Sequence, residues 1–428
     1  MSVDSGNTAW VLTSAAMVLL MTPGLALFYG GMTRAKSVIN MMMKSLTALA
    51  IVSVMWVVIG YSLAFTEGNP LIGGLSEFGL RGLMSAVGDD GLPTIAFAGF
   101  QLMFAGITVA LISGAVADRM KFTAWIIFTV VWAAAVYFPV AHWVWGGGFI
   151  GADWGALDFA GGTAVHANAG AAALALAIVI GKRIGWPRPA AFVPHNVPLV
   201  LLGTGLLWFG WFGFNAGSEL AANGTAGLAL VNTQVAAAAA ILAWLLIERL
   251  RGNRPSVLSA CSGAVTGLVA ITPACAFVEP VGAIAIGFIA GVVCPLAVAL
   301  KERLGYDDSL DVVGIHLVAG ALGSILIGLL AVPELAGEAG LLYGGGITLT
   351  GIQAAAVGVV VAYSFTIAAI IGVVLKYTIG IRVTPEAELA GIDATEHAET
   401  AYDLPLNGEV PDGGILDEPA RDELVVVR

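Results

Sequence analysis

Charged side chains are scarce in this chain. Asp, Glu, Lys and Arg make up 11% of its 428 residues, whereas 58% of the residues are hydrophobic. Soluble domains carry about a quarter charged residues, so this composition excludes an ordinary soluble protein. A bilayer core of ~30 Å needs about 20 apolar residues per helix, and eleven segments are predicted to meet that need. They lie near residues 8–30, 38–65, 93–117, 122–143, 161–181, 197–217, 226–247, 257–275, 281–300, 311–330 and 347–375.

Several other features are rare or missing. The chain has three cysteines, and their spacing matches no metal site. Cys261 and Cys275 would lie roughly 21 Å apart along one regular helix, too far for a disulfide. Strict two-residue alternation is absent, which argues against a β-barrel, and no basic patch points to nucleic acid. No basic stretch or cleavage site marks the first segment as a signal peptide, so we expect a true helix there.

Basic residues are almost absent from every second loop. Those loops hold acids, and together they contain a single base, Arg81. Lys and Arg accumulate in cytoplasmic loops, so the alternation predicts an odd number of spans with the N-terminus outside and the C-terminus inside. The basic loops contain Arg34 and Lys36; Arg119 and Lys121; Lys182, Arg183 and Arg188; Arg249, Arg251 and Arg254; Lys301 and Arg303; and Lys376 and Arg382.

The negative charge is concentrated at the C-terminal end. Residues 382–428 hold twelve acids and three arginines, a net charge of −9, which leaves −2 for residues 1–381 out of a total of −11. We therefore divide the chain into a transmembrane domain, 1–381, and a cytoplasmic segment, 382–428, whose acidic end is expected to be disordered.

Two of the five histidines lie inside predicted spans. His166 ends the sequence LDFAGGTAVH as the fifth span enters from outside, and His316 ends DDSLDVVGIH as the tenth enters from inside. A repeat of five helices is inverted in the bilayer, and transporter sites lie where such repeats meet. A single buried histidine is a core residue as often as a functional one, but two histidines at corresponding positions of the inverted halves favour a function. We predict that the two imidazoles meet near the midplane.

An aspartate precedes each histidine near the mouth of its span, Asp158 in the fifth and Asp311 in the tenth. Asp158 stands just before Gly161 and Gly162, where a helix would begin. A carboxylate there can accept backbone N–H groups, and it can also favour a cation outside. The sequence leaves both roles of Asp158 open.

Aromatic residues follow helical spacing on two further spans. Residues three or four apart share one helix face, and ring faces attract cations by ~0.5–2 kcal/mol. A Trp at a membrane interface is commonly an anchor, and a Phe stripe is commonly core, so spacing alone does not decide. The candidates are Phe100 and Phe104 in the third span, Trp211, Phe214 and Ser218 in the sixth, and Trp145 at the outer end of the fourth.

These segments together resemble the ammonium transporter family (Amt/Mep, with the Rh proteins as distant relatives). The resemblance runs through nearly the whole chain, to about Tyr402, and its most specific stretches are LDFAGGTAVH from Leu157 and GWFGFNAGS from Gly210. The other matching stretches are PGLALFYGGMTR from Pro23, AHWVWGGG from Ala141, GKRIGWPRPAAFVPHN from Gly181, PSVLSACSGAVTGLVAITPAC from Pro255 and DDSLDVVGIH from Asp307.

The resemblance implies an all-α polytopic protein of the plasma membrane, a homotrimer with one hydrophobic pore per subunit. Eleven helices are implied, the first ten in two inverted halves of five. No cofactor or metal is implied. Carried over by motif, the site residues are Trp145, Phe104 and Ser218 with Asp158 for outer recruitment of ammonium, Phe104 and Phe214 with Phe100 as the gate, His166, His316 and Trp211 along the pore, and Asp311 at the inner end.

The implied function is passage of ammonium as ammonia, and whether the proton follows is left open. The family also implies a PII-type (GlnK-like) regulatory protein at the cytoplasmic face, with the segment from Gly380 lying against the inner loops. One alternative is a channel for another small neutral gas, and a second is an ammonium sensor read by a cytoplasmic partner. An intramembrane enzyme ranks last, because the sequence offers no nucleophile–base set or metal motif.

Overall fold

The computed structural model describes residues 2–187 and 192–402; Arg188 and the acidic tail beyond Tyr402 lie outside this part. Within these two ranges, ten helices are long and apolar enough to cross a membrane, and a further apolar helix is shorter. In chain order the eleven are α1 (Ser5–Met32), α2 (Val38–Phe65), α3 (Thr94–Val116), α4 (Phe122–Asp153), α5 (Gly162–Ile180), α6 (Val197–Glu219), α7 (Gly224–Leu250), the shorter α8 (Val257–Ile271), α9 (Pro280–Leu304), α10 (Val313–Leu330) and α11 (Thr348–Thr378).

The remaining elements are small and lie in the connections. Two two-residue strands, β1 (Gly68–Asn69) and β2 (Ile72–Gly73), form an antiparallel hairpin after α2. Two six-residue helices, α12 (Pro385–Ala390) and α13 (Ile392–His397), follow α11. Single helical turns cover Phe78–Leu80, Pro333–Ala336 and Leu341–Tyr343.

All eleven apolar segments are helical, and most of their ends lie within three residues of the prediction. The largest difference is at α4, which was predicted to end at residue 143 and reaches Asp153. Helix α8 ends at Ile271 instead of residue 275. Pro273 lacks an N–H and disfavours helical geometry in the residue before it, which favours an end of α8 at this point. Cys275 therefore lies in the turn after α8, and the distance expected for two cysteines on one helix does not apply.

The neighbours of each helix recur five helices later in the chain. Helix α2 packs against α3 and α4, and α7 likewise packs against α8 and α9. The contacts that join the halves directly include α1 along α6 and α5 across α10. The second five helices thus repeat the packing of the first five, and the histidine-bearing helices meet at the centre.

Glycines allow α1 and α6 to approach closely. A Cβ at Gly203 would lie 2.4 Å from the backbone nitrogen of Phe28, and one at Gly24 would lie 3.0 Å from the Cβ of Leu206. Only hydrogen fits in these positions. Small residues at such crossings let helices pack by van der Waals contact, which is the main attraction available between helices in lipid.

The segment after α11 lies against the loops predicted to be cytoplasmic. Asp393 accepts the backbone N–H groups of Ile39 and Asn40 at 3.0 and 2.8 Å and so caps α2. Glu388 accepts the N–H of Ile184 and pairs with Arg382, both at 2.6 Å. The segment is therefore held to the start of α2 and to the loop after α5.

Candidate functional site

In the part of the site that is predicted to face outside, Trp145 contacts Phe104, and Ser218 bonds to the backbone of Phe214, which stacks on Phe104. The ring of Trp145 stands edge-on to that of Phe104, with centroids 6.3 Å apart. The Trp145 indole donates its N–H to the backbone oxygen of Asp158 at 2.8 Å. The Ser218 hydroxyl donates to the Phe214 carbonyl at 2.8 Å, which leaves its lone pairs free to accept from a cation. An aromatic face and a hydroxyl oxygen suit a small N–H-bearing cation.

Two phenyl rings stack next to this group. Phe104 and Phe214 stack with centroids 4.0 Å apart and planes 21° from parallel. Phe100 packs against Phe104 at 4.8 Å. All three rings are buried. His166 lies next to this stack, with its ring centroid 5.9 Å from that of Phe214.

The two histidines meet beneath the phenyl stack. The Nδ1 atoms of His166 and His316 are 3.2 Å apart, and the rings lie nearly parallel. Trp211 stacks on the other side of His166 at 5.3 Å and donates its indole N–H to the Thr272 hydroxyl at 2.8 Å. His166 and His316 are 1% and 3% exposed. In a hydrogen bond between their facing Nδ1 atoms, one imidazole donates the proton and the other accepts it.

A narrow cavity runs along these rings. Its volume is about 10 Å³, close to what one water-sized molecule requires. Apart from the two imidazoles, its walls are hydrocarbon and aromatic, formed by Met21, Leu25, Phe28, Ile107, Leu111, Leu207, Trp211, Phe214 and Val265. Such walls offer an ion no replacement for its hydration shell.

The backbone aims both histidines in the same unusual way. Each lies in a π-helical first turn, Gly162–Ala167 in α5 and Val313–Leu317 in α10. A glycine follows each histidine by four residues, at the point where the other helix crosses. A Cβ at Gly170 would lie 2.4 Å from the nitrogen of Leu317, and one at Gly320 would lie 2.9 Å from the Cβ of His166. The crossing that joins the imidazoles therefore depends on these two glycines.

Asp158 caps the start of α5 with both of its carboxylate oxygens. Oδ1 accepts the N–H groups of Gly161 and Gly162 at 2.9 and 2.7 Å, and Oδ2 accepts those of Thr163 and Ala164 at 2.9 and 3.0 Å. Burial raises the pKa of this carboxyl, while the four N–H donors act in the opposite direction. The segment before it is not helical, so Asp158 sets the mouth of α5 rather than facing His166 along one helix.

Asp308, which sequence reasoning missed, takes the corresponding position at α10. It is eight residues before His316, as Asp158 is before His166. Its Oδ2 accepts the Val313 N–H at 2.7 Å, at the start of the second π-helical turn. Asp311, the aspartate expected near the mouth of this span, has φ of 62° and forms an ion pair with Lys301. The matching eight-residue interval was the available signal.

The family profile described as Ammonium Transporter Family matches residues 9–402. A protein named ammonium transporter from Mycobacterium tuberculosis is 53% identical, over 98% of this chain and 95% of its own. The chain belongs to the ammonium transporter family. Together with its apolar helices, membership identifies it as a multi-pass membrane protein.

Solved structures of family members are similar over most of the chain. Mep2 of Candida albicans is 35% identical with a TM-score of 0.84, covering 90% of this chain and 88% of its own. A protein titled Sensor Amt Protein is 33% identical with a TM-score of 0.85, covering 92% and 98%. The mostly helical fold is thus that of ammonium transporter family structures.

A polar cavity of about 330 Å³ lies between the start of α8, the end of α9 and the loop before α10, on the side that carries the loops predicted to be cytoplasmic. Its polar lining includes Arg183, Ser259, Lys301 and Asp311. Among residues 2–187 and 192–402, no group of three His, Cys, Asp or Glu side chains is arranged to hold a metal ion.

Proposed function

We propose that this chain transports ammonium by recruiting the cation outside, removing its proton and conducting ammonia through the histidine-lined cavity. The observation that carries the proposal is the stacked pair Phe104–Phe214 directly above the His166–His316 pair, in a narrow apolar cavity. Family membership and relatives named ammonium transporter support the substrate.

Recruitment follows from the chemistry of the outer residues. Ammonium carries a charge for the ring faces of Trp145 and Phe104 and four N–H donors for the Ser218 oxygen. Each ring contact is worth about 0.5–2 kcal/mol, depending on desolvation. Asp158 adds a buried negative charge behind Trp145, whose indole N–H contacts its backbone oxygen. The group favours a cation without holding it too tightly to continue inward.

Selectivity follows from the walls of the cavity. Potassium and ammonium are similar in size, so a ring of carbonyls would separate them poorly. An unpaired ion in an apolar passage loses its hydration at great cost, whereas ammonia is neutral. Ammonium can become neutral by giving up a proton, and potassium cannot. The imidazoles of His166 and His316 are the polar side chains on this path and can hydrogen-bond ammonia or carry the proton.

We further propose eleven membrane spans with the N-terminus outside, two inverted five-helix repeats and a homotrimer. The recurring packing of the two halves supports the repeat. The alternation of basic and acidic loops supports the orientation. Exposed apolar side chains on α1, α6 and α9, such as Leu12, Phe209 and Phe288, offer faces for lipid or for other subunits.

The test is current recording on full-length protein reconstituted in liposomes. An inward ammonium gradient should evoke current or ammonia flux, and an equal potassium gradient should evoke neither. Protein-free liposomes and the His166→Ala variant serve as controls, because the variant lacks one imidazole of the pair. Folded wild-type protein that passes no ammonium or ammonia, or that passes potassium equally well, would rule out the proposal.

A second candidate function is ammonium sensing, which the similarity to the protein titled Sensor Amt Protein favours. A sensor would bind ammonium and change the contacts of its cytoplasmic segment without sustained transport. Isotopic methylammonium uptake by proteoliposomes separates the two functions. Saturable binding with no accumulation inside would favour the sensor.

The cytoplasmic partner is proposed to be a PII-type protein, bound where residues 380–402 lie against the inner loops. The contacts of Glu388 and Asp393 with those loops support a defined surface there. Pull-down with the cognate PII protein should recover the full chain and lose a variant truncated after Thr378. Equal recovery of both would contradict the partner assignment.

A further inference from the structure

The carboxylates at the two ends of the histidine pair differ in the number of hydrogen bonds that their oxygens accept. Asp158 and Asp308 each stand eight residues before a histidine, and each caps a π-helical first turn. Asp158 accepts four backbone N–H groups, two on each oxygen. Asp308 accepts the Val313 N–H on Oδ2, while its Oδ1 has no hydrogen-bond partner among the described residues.

The free oxygen of Asp308 is buried. The residue is 1% exposed, so bulk water does not satisfy Oδ1 at the protein surface. A buried oxygen without a donor costs about 1–3 kcal/mol unless it finds a partner. A proton on Oδ1 removes the buried charge and turns the carboxyl into a hydrogen-bond donor. The inner carboxyl is thus suited to bind and release a proton, and the outer one is suited to remain fixed.

The surroundings of Asp308 connect it to the polar cavity. Lys301 on α9 and Asp311 in its own loop are the charged groups near it, and Tyr29 on α1 and Tyr306 are the neutral titratable ones. Burial raises the pKa of the Asp308 carboxyl to about 6; Asp311 acts in the same direction and Lys301 opposes it. Ser309, Leu310 and Asp311, which follow it directly, line the 330 Å³ cavity. The cavity therefore reaches the residue next to Asp308, although Asp308 itself does not line it.

We propose that Asp308 is the inner proton-accepting group of the transport path, an inference that rests on the proposed function. A proton released by ammonium outside reaches the histidine pair. The N–H bond of the His316 imidazolium then breaks as an O–H bond forms on Asp308, through water from the inner cavity. The O–H bond breaks in turn when ammonia or water in that cavity takes the proton, which regenerates the carboxylate. His316 lies three residues beyond the Val313 that Asp308 caps, within the same π-helical turn.

The test compares Asp308→Asn and Asp308→Glu with wild type in liposomes, measuring both ammonium-evoked current and electroneutral ammonia flux. Asparagine can still cap Val313 through its oxygen but cannot take a proton. We expect its current to fall by at least roughly ten-fold, a modest effect for losing a proton-transferring group, while ammonia flux stays within about two-fold of wild type. Glutamate should retain current. Asp4→Asn, which removes a capping carboxylate from α1 far from the cavity, should change neither readout.

Internal pH provides a readout that a purely structural cap would not move. A carboxyl with a pKa of about 6 is free to accept a proton at pH 7.5 and is already protonated below pH 6. Wild-type current should fall as the internal pH drops through this value, and Asp308→Asn should show no such step. The inference is overturned if folded Asp308→Asn conducts like Asp4→Asn, or if Asn and Glu lose both fluxes together. Wild type with ammonia flux but no current also overturns it and spares the transport proposal; wild type with neither flux overturns both.

Discussion

Replacing Asp158 with asparagine removes a buried charge and half of a hydrogen-bond cradle. Each carboxylate oxygen of Asp158 accepts two backbone N–H groups at the start of α5. Asparagine has one side-chain oxygen, so it can serve one of these pairs, and its NH₂ group then faces the other pair. Two buried N–H groups are left without an acceptor in the turn that leads to His166.

The magnitude follows from those two donors. Each unsatisfied buried N–H costs about 1–3 kcal/mol, so the pair costs about 2–6 kcal/mol. Loss of the negative charge at the helix N-terminus adds about 0.3–2 kcal/mol. Asp308→Asn is the matched comparison, because that carboxylate accepts the single Val313 N–H, which an amide oxygen can replace. We expect Asp308→Asn to lower the free energy of unfolding by no more than about 1 kcal/mol.

The assay pairs thermal unfolding with transport. Both variants are melted in one detergent at one scan rate, because unfolding of such proteins is commonly irreversible. We expect Asp158→Asn to melt clearly below Asp308→Asn and its ammonium-evoked current to vanish even in the folded fraction. An Asp158→Asn protein that melts with wild type would refute the cradle argument. One that melts early yet conducts normally would reduce Asp158 to a structural cap.

Three further predictions concern the rings and the crossing. Trp145→Leu should raise the half-saturating ammonium concentration about five-fold, the equivalent of ~1 kcal/mol, and Trp145→Phe should raise it less. Both variants lose the indole N–H bond and only the Phe variant keeps an aromatic ring, so equal shifts would show that the ring does not contribute to binding. His166→Asp and His316→Asp should each admit potassium, because a fixed carboxylate offsets the desolvation of a cation; potassium-tight currents in both would argue otherwise. Gly320→Ala should cost about 1–3 kcal/mol by overpacking against His166, whereas Gly358→Ala on α11 meets open space and should be neutral; equal melting temperatures would contradict the tight crossing.

Hydropathy was sufficient to find the helices because the bilayer requires long apolar segments. It was less able to find where they end, since local events decide this. Pro273 ends α8 early, and Gly146–Gly148 interrupt α4 before a final π-helical turn, Phe149–Asp153. Helical spacing also predicted correctly that Phe100 and Phe104 are in contact, because residues four apart in one regular helix are neighbours.

Contacts between distant segments were harder to predict. The capping of α10 by Asp308 was missed, although its eight-residue interval to His316 matches that of Asp158. Asparagine at position 158 looks conservative from sequence, and only the geometry reveals that both oxygens are occupied. The bond from Trp145 to the Asp158 backbone likewise joins residues whose separation follows no helical period.

The π-helical turns at the start of α5 and α10 also limit how the chain can vary in length. Each holds the interval between capping carboxylate and imidazole at eight residues. A further residue inserted into such a turn would exceed what the wide turn absorbs and would rotate all that follows by about 100° relative to the cap. The imidazole would then leave the passage and an apolar neighbour would replace it. These two turns should therefore tolerate changes of side chain far better than insertions.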